Sequence, residues 1–312
     1  MEKRQLGKSN IFVSKMGLGC MSLGTDEARA KDIVEAALSH GINYFDTADL
    51  YDFGENEKIV GKALQAVRND VIVATKVGNR WAKDRSSWKW DPSKRYIKEA
   101  VKASLRRLNM DYIDLYQLHG GTIDDPIDET IEAFEELKSE GLIRSYGISS
   151  IRLNVIKEYV KKASIDTIMM QYSLLDRRPE EAFTLLRENE ISVVARGPLA
   201  KGILSNTMLE KASDKVLTEG YLDYSYHELT HLFSSIQDKL GDFRSMTELS
   251  LQYTLSDPAV GAILPGASSI EQLIENVQAL NAPQLTTEER QLLKDITKMS
   301  RYLQHRNGPY EI

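Results

Sequence analysis

The sequence alternates eight times between a short run of β-branched or aromatic residues and a longer amphipathic segment. Short apolar runs are typical of buried strands, and apolar residues three or four positions apart are typical of the helices that cover them. We therefore predict strands over residues 16–20, 42–47, 71–76, 113–119, 143–149, 167–171, 192–196 and 260–264. Eight strand–helix units in series indicate an α/β protein whose parallel sheet closes into a (β/α)8 barrel of the TIM type. A doubly wound sheet stays the alternative, because periodicity does not count strands with certainty.

The helices are predicted over residues 26–39, 55–65, 93–108, 127–139, 153–162, 180–188 and 269–279, with an ill-defined stretch within 227–254. Gly41, Asn109 and Gly141 stand where three of these helices would end, and such residues tolerate the left-handed backbone found at helix ends. No low-complexity tract or flexible linker interrupts the chain. We therefore expect one domain over residues 1–312.

Three pieces of the chain lie outside the eightfold pattern. Residues 6–13 are predicted to form an amino-terminal hairpin that plugs the floor of the barrel. Residues 198–227 form a flap-like insertion after the seventh strand, long enough for an active-site flap or a disordered loop. An extra helix is expected at the carboxyl-terminal end, after the eighth unit.

Charge and cysteine content argue against several classes of protein. The chain has 40 Lys and Arg residues against 46 Asp and Glu, a net charge of −6, whereas nucleic-acid and anionic-membrane binders need a basic surface. The single cysteine, Cys20, cannot form an internal disulfide. The apolar runs are far shorter than the roughly 18 residues of a membrane span, and the amino terminus has no signal-peptide core. We predict a cytoplasmic protein with no nucleic-acid or membrane partner.

Polar or backbone-exposing residues stand where the predicted strands end. The carboxyl ends of barrel strands meet at one rim, which is where barrel enzymes carry their chemistry. An acid, an ammonium, an imidazole, a carboxamide and a guanidinium would meet at this rim, so we predict an active site there. The predicted ends are Cys20, Asp46, Lys76, His119, Ser149 with Ser150, Gln171, Arg196 and Gly266.

Seven motifs occur in barrel order along the chain: DTADLYDFGENE, VIVATKVG, DLYQLH, YGISS, MMQYSLLDR, GPLAKGIL and ILPGASSIEQLIEN. In that order the chain resembles the aldo-keto reductases over residues 17–276, and most closely bacterial members that have Arg-Gly-Pro after the seventh strand. The resemblance implies an enzyme that reduces aldehydes or ketones to alcohols by hydride transfer from NADPH. It places the family's catalytic residues at Asp46, Tyr51, Lys76 and His119.

These four residue types suit the reduction of a carbonyl. The carbonyl oxygen needs a proton, and a free phenol, with a pKa of about 10, donates one reluctantly at neutral pH. The resemblance makes Tyr51 the proton donor, and the ammonium of Lys76 would favour the phenolate that remains. Asp46 would hold Lys76 charged and oriented, and His119 would hydrogen-bond the carbonyl oxygen as charge develops there.

The resemblance also implies a nicotinamide dinucleotide, NADP(H) rather than NAD(H), extended across the mouth of the barrel. Arg196 stands where many relatives have a tyrosine that stacks on the nicotinamide, and a planar guanidinium can stack as well. Small residues would let backbone amides approach the pyrophosphate, and the start of the last barrel helix would favour a phosphate. From the nicotinamide to the adenine end, the implied contacts are Gly19, Cys20, Met21, Asp46, Ser149, Ser150, Gln171, Arg196, Gly197, Pro198, Leu199, Ala200, Gly202, Gly266, Ser268, Gln272, Glu275 and Asn276.

The substrate is not named by the sequence. Trp81, Trp88 and Trp90 lie in the loop after the third strand, where they could form a hydrophobic wall for the substrate or could simply pack against the barrel.

Two other functions stay open, one suggested by a motif and one by the resemblance. Residues 227–231 read HELTH, a literal HExxH, which on a helix can bind zinc, but the HxxGxxH continuation is missing. We therefore expect no metal and interpret the segment as a polar helix near the substrate entrance. The second alternative is a cofactor-binding regulatory subunit, because the resemblance extends to potassium-channel β-subunits. Turnover of an aldehyde with NADPH would separate this alternative from an enzyme.

Overall fold

The computed structural model describes residues 1–205, 213–241 and 244–303. Its strands are β1 (Lys3–Gln5), β2 (Phe12–Ser14), β3 (Leu18–Gly19), β4 (Tyr44–Asp46), β5 (Ile72–Val77), β6 (Asn79–Trp81), β7 (Trp88–Trp90), β8 (Ile113–Leu118), β9 (Ile143–Ser149), β10 (Thr167–Gln171), β11 (Ser192–Arg196) and β12 (Val260–Leu264). The last four strands have the predicted bounds. The first predicted barrel strand, over residues 16–20, corresponds to β3 and ends earlier than predicted, because Cys20 already begins a 3-10 turn that runs to Leu23.

Eight of these strands form one parallel sheet, in the order β3, β4, β5, β8, β9, β10, β11 and β12. The sheet closes on itself, because Met16 bridges to Ile263 and Gly19 bridges to Gly266 beside the first and last strands. This closure confirms the (β/α)8 barrel, and the doubly wound alternative is wrong.

Helices surround the barrel: α1 (Glu27–Ser39), α2 (Glu55–Leu64), α3 (Lys94–Leu108), α4 (Ile127–Ser139), α5 (Leu153–Lys162), α6 (Glu180–Glu188), α7 (Asp214–Glu219), α8 (Tyr226–Leu240), α9 (Met246–Leu255), α10 (Ile270–Asn281) and α11 (Thr287–Ile296). The predicted carboxyl-terminal extra helix is α11. Within the described residues, no helix is both long and apolar enough to cross a membrane.

The stretch within 227–254, which the sequence left ill-defined, contains most of α8 and nearly all of α9. Ser225 and Glu228 form a capping box at the start of α8, and Ser245 and Glu248 form another at the start of α9. These Ser-x-x-Glu patterns are readable in the sequence. The amphipathic signal fails for α9 because nearly all of its residues are buried, so it has no polar face.

The floor of the barrel is closed by the antiparallel hairpin of β1 and β2. Leu6, Ile11 and Val13 pack against side chains from the barrel interior. The turn is fixed from below, because the amide of Gly7 donates a 2.8 Å hydrogen bond to Ser192 Oγ. The predicted plug is confirmed, although residues 6–11 form the turn and the strands lie on either side of it.

The loop predicted after the third barrel strand contains a second antiparallel hairpin, β6 and β7. Three residues per strand are too few for an alternating pattern to show in the sequence. The insertion at 198–227 holds a 3-10 turn, Ala200–Gly202, and α7. Residues 206–212 of that insertion lie outside the described part of the chain.

Candidate active site

Alternation along the barrel strands places a polar layer directly above an apolar one. Side chains two residues apart on a strand point to the same side of the sheet. An apolar residue that packs above the floor plug is therefore followed, two positions on, by a polar residue facing the same interior nearer the carboxyl rim. The pairs are Tyr44 and Asp46, Ala74 and Lys76, Leu115 and Gln117, Met169 and Gln171, and Val194 and Arg196.

The four residues implied as catalytic come together at this rim. Lys76 Nζ lies 2.5 Å from Asp46 Oδ1 and donates hydrogen bonds to the carbonyl of Thr47, at 2.7 Å, and to Tyr51 Oη, at 3.3 Å. The rings of Tyr51 and His119 meet edge to face with their centroids 6.0 Å apart. One ammonium therefore joins the acid, the phenol and the backbone of the loop between them.

The buried charges of Lys76 and Asp46 stabilise each other. Burial lowers the pKa of Lys76, but Asp46 and Tyr51, through charge and hydrogen bonds, together outweigh burial, so the net pKa is raised and the ammonium stays charged. Burial raises the pKa of Asp46, against the opposing effects of Lys76 and of Gln117, whose amide donates to Asp46 Oδ2 at 3.3 Å. Gln117 belongs to the site and was missing from the sequence prediction, although its alternation with Leu115 is a readable signal.

His119 is neutral at physiological pH. Burial, then the charges of Lys76 and Arg196, lower its pKa to about 3. A neutral imidazole carries one N–H, and its other nitrogen is an acceptor. The Nδ1 atom of His119 is buried without a hydrogen-bond partner in the described structure.

Gln171 is tied into a network that fixes the direction of its amide. Its Oε1 accepts from Arg196 Nη1 at 3.0 Å, and its Nε2 donates to Asp176 Oδ2 at 2.9 Å and to Tyr221 Oη at 3.3 Å. Asp176 is buried and also accepts two 2.7 Å hydrogen bonds from Arg178. The sequence prediction included neither Asp176 nor Tyr221, because only tertiary contact brings them to Gln171.

The segment that follows Arg196 has an unusual backbone. Gly197, Ala200 and Gly202 all have positive φ, at 64°, 48° and 88°. A Cβ atom on Gly202 would meet nothing within 4 Å, so this residue faces open space. The implied pyrophosphate contacts, Gly197, Pro198, Leu199, Ala200 and Gly202, therefore lie together in one tight turn beside the rim.

The implied adenine-end residues gather at the start of α10. Gln272 is exposed, and its Oε1 accepts from the amide and the hydroxyl of Ser268 at 2.8 and 3.0 Å. Asn276 Nδ2 donates to the carbonyl of Gly266 at 3.4 Å and fixes the preceding loop. Glu275 instead accepts from Thr247 Oγ1 on α9 at 2.8 Å.

At the other flank of the rim, Gly19 bridges to Gly266, and Met21 is 65% exposed. Cys20 is fully buried, and burial raises the pKa of its thiol, which argues against a nucleophile. The amide of Ser150 donates to the carbonyl of Met169 at 3.1 Å, directly beyond Ser149 at the end of β9.

The three tryptophans have different environments. Trp81 meets Phe53 edge to face at 6.3 Å, so it backs the turn that follows Tyr51. Trp90 packs against Gly78 and Gly120, and its Nε1 donates to Asp125 at 2.9 Å. Trp88 is 55% exposed.

The HExxH string lies on α8 with His227 and His231 exposed. Glu228 is occupied: it caps its own helix through Ser225 and lies 2.7 Å from Lys298 Nζ. Burial has little part here; the hydrogen bond from Lys298 and those from Ser225 lower the pKa of Glu228 to about 2. In the described ranges, no group of three or more His, Cys, Asp or Glu residues is arranged to hold a metal ion.

A sequence model of the "Aldo/keto reductase family" matches residues 15–298 of the chain. The chain belongs to the aldo-keto reductase family. Members of this family are oxidoreductases that use nicotinamide cofactors and act on small-molecule carbonyl substrates. The resemblance carried by the seven motifs is confirmed.

Individual relatives support the same placement of this aldo-keto reductase. It is 61% identical over 307 residues to "Uncharacterized oxidoreductase YqkF" of Bacillus subtilis, over 98% of this chain and 100% of that protein. It is 35% identical over 311 residues to the "NADH-specific methylglyoxal reductase" of Escherichia coli, over 90% and 94% of the two chains. The holo form of aldo-keto reductase AKR11C1 from Bacillus halodurans superposes with a TM-score of 0.93 at 59% identity, covering 98% and 100%.

Proposed function

We propose that this aldo-keto reductase reduces small aldehydes or ketones to alcohols with NADPH, and that Tyr51 donates the proton to the carbonyl oxygen. The observation that carries the proposal is the double contact of Lys76, which lies 2.5 Å from Asp46 Oδ1 and 3.3 Å from Tyr51 Oη. A buried ammonium in that position stabilises the negative charge that a phenol acquires as it loses its proton.

The residues at the rim fit a nicotinamide dinucleotide. An exposed guanidinium at Arg196, an oriented amide at Gln171 and the amino-terminal end of α10 supply stacking, hydrogen-bonding and anion-binding groups. When bound, the reduced nicotinamide supplies the hydride that the carbonyl carbon accepts. Ser149, Ser150 and Gln171 would hold its carboxamide.

The side chains of the protein control the transfer of one proton to the substrate. Tyr51 donates its hydroxyl proton to the carbonyl oxygen, and Lys76 stabilises the phenolate that remains. Asp46 keeps Lys76 charged and aimed at the phenol. The neutral imidazole of His119 donates its N–H to the same carbonyl oxygen, which stabilises negative charge without competing to give up a proton.

The choice of NADPH over NADH rests on the adenine end. Ser268 and Gln272 present polar groups at the start of α10, where a 2′-phosphate would meet the positive end of the helix dipole. Neither side chain is charged, and a relative at 35% identity is named as NADH-specific. Titration of both cofactors against the purified protein tests this part of the proposal.

We further propose that Trp81 and Trp88 form the apolar side of the substrate site. Trp81 stands behind the turn that carries Tyr51, and Trp88 is exposed on the same hairpin. Trp90, which is hydrogen-bonded and packed on two glycines, serves the structure of the loop instead.

The test of the proton donor is Tyr51→Phe. We expect kcat for reduction of an aldehyde with NADPH to fall by at least about a hundredfold, the low end for a lost general acid, with unchanged cofactor Kd. Tyr226→Phe, on α8, is the matched control and should leave kcat unchanged. Near-normal turnover by Tyr51→Phe would remove Tyr51 from the mechanism.

A further inference from the structure

The turn that carries Tyr51 has a strained backbone. Asp52, Phe53 and Gly54 follow it with φ values of 49°, 52° and 86°, so two residues with side chains occupy the left-handed region. Such a conformation persists only where neighbouring contacts over-determine it. Whatever holds this turn also controls the 3.3 Å contact between Tyr51 and Lys76.

Arg107, in the last turn of α3, packs directly against this strained segment. A Cβ atom on Gly54 would lie 2.6 Å from Arg107 Cδ and 2.7 Å from its Nε, so the glycine is needed for the approach. The guanidinium lies over the Trp81 ring, 5.2 Å from its centroid, and Trp81 meets Phe53 edge to face. Arg107 therefore backs the turn at Gly54 directly and at Phe53 through Trp81.

The same guanidinium reaches the strand that carries Lys76. Arg107 Nε donates to Glu57 Oε2 at 2.5 Å, and Glu57 Oε1 accepts from Thr75 Oγ1 at 2.6 Å. Glu57 and Thr75 are fully buried, and Thr75 directly precedes Lys76 in β5. Arg107 thus contacts a neighbour of each member of the Tyr51–Lys76 pair: Gly54 in the turn after Tyr51, and Glu57, which is hydrogen-bonded to Thr75 beside Lys76.

We propose that Arg107 is a positioning residue of this reductase, which holds the turn after Tyr51 and the strand before Lys76 in one fixed relation. It acts through Gly54, Trp81 and Glu57, and not on the reacting atoms. The inference rests on the proposed function, in which Tyr51 donates the proton and Lys76 supports it. Truncation of Arg107 lengthens the contact between Lys76 and Tyr51 and slows the proton transfer.

The surroundings of Arg107 offer room for a test by chemical rescue. A cavity of about 220 Å3 lies against it, lined among others by Asp49, Trp81 and Tyr96. Asp49 is 1% exposed, and burial and then Glu57 raise the pKa of its carboxyl group, while Arg107 lowers it. Truncation of Arg107 would leave two buried acids and an open space, into which a free guanidinium ion fits by size and charge.

The first experiment compares Arg107→Ala with Arg106→Ala, its exposed neighbour on the same helix. We expect kcat of Arg107→Ala to fall by about ten- to a hundredfold, as for small misplacements of reacting groups, with unchanged cofactor Kd. Millimolar guanidinium should restore part of kcat, and ammonium at equal ionic strength should not, because it lacks the planar fork. Normal kcat in Arg107→Ala, or a loss that guanidinium leaves unchanged, would overturn the proposal.

A second variant covers the case in which Arg107→Ala does not fold. Gly54→Ala keeps every charge, but its methyl group meets Arg107 and its φ of 86° is strained, so the turn must shift. We expect a lower kcat, an unchanged Kd for the cofactor and a shift in the pH dependence of kcat. Wild-type kcat and profile in Gly54→Ala would show that the turn does not depend on this contact.

The two proposals fail in different ways. If Tyr51→Phe turns over normally, the proposed role of Tyr51 as proton donor fails, whatever Arg107 does. If Tyr51→Phe is inactive while Arg107→Ala and Gly54→Ala keep wild-type kcat, the proton donor stands and only the positioning role of Arg107 is wrong.

Discussion

Replacing Lys76 by Met should slow reduction by removing the charge beside Tyr51. The two groups are 3.3 Å apart, and at an effective dielectric constant of about 20 a full unit charge on each oxygen and nitrogen interacts by about 5 kcal/mol. With the proton roughly half transferred in the transition state, about half of that, about 2.5 kcal/mol, is lost. This corresponds to a decrease in kcat of roughly seventyfold.

The assay has to separate this effect from the loss of a buried ion pair. Lys76→Met leaves Asp46 buried without its cation, which typically costs about 3–5 kcal/mol of folding stability. The double variant Asp46→Asn with Lys76→Met removes that buried charge and is the matched control. Both variants should show the same reduction in kcat at saturating NADPH, measured at a temperature where both are folded.

The pH–rate profile gives the decisive reading. Because the ammonium of Lys76 interacts directly with the proton donor, the alkaline limb of the pH–rate profile for kcat should move when Lys76 is replaced by Met. A seventyfold lower kcat with an unmoved alkaline limb would mean that Lys76 only holds the structure of the site. An unchanged kcat in either variant would refute the electrostatic reasoning altogether.

Three further variants test the proposed cofactor contacts and the neutral imidazole. If the guanidinium stacks on the nicotinamide, Arg196→Ala should weaken the binding of NADPH and of NADH by a similar amount, about 1–2 kcal/mol. Gln272→Arg should raise the preference for NADPH, because the guanidinium fork matches a phosphate better than an amide does. Titrations of both cofactors by tryptophan fluorescence check these two variants, and unchanged NADPH binding by Gln272→Arg would place the 2′-phosphate elsewhere. The pKa of His119 is lowered to about 3 from 6.5, so the unfolded chain binds a proton there that the folded chain does not, between those two pH values. The free energy of unfolding should therefore fall by up to about 1.4 kcal/mol per pH unit as the pH drops through that window. In urea titrations at mildly acidic pH, His119→Leu should make the free energy of unfolding depend less steeply on pH. An equal slope in the two proteins would contradict the buried neutral imidazole.

Much of the fold was predictable because the barrel repeats one local pattern. The bounds of β9, β10, β11 and β12 follow from short apolar runs that end abruptly, and each ends at the rim. What failed was local: α9, buried on nearly all sides, has no amphipathic period, and the hairpin of β6 and β7 is too short to show alternation.

The period of two along the strands predicts one more residue of the polar layer than the strand ends alone do. Gln117 stands two residues beyond Leu115, as Lys76 stands two beyond Ala74, and the period of two is enough to place it at the rim. Its amide reaches Asp46, so alternation counted from the apolar layer identifies a member of the site that inspection of the last residue of each strand misses. Asp176 and Tyr221 follow no such period, since they reach Gln171 from outside the strands.

Arg107 and Glu57 show a different limit, since each has a sufficient local explanation. An arginine in the last turn of α3 and a glutamate in the first turn of α2 are what the helix dipole favours at those positions. Fifty residues separate them, and only the packing of α2 against α3 brings them to 2.5 Å. Because the helix position alone explains each residue type, the sequence gives no reason to look for a second role. Sequence reasoning therefore misses Arg107 and Glu57, the residues proposed to position Tyr51 and Lys76. For this reason the variants at Arg107 and Gly54, rather than those at the four rim residues, test what the structure adds to the sequence.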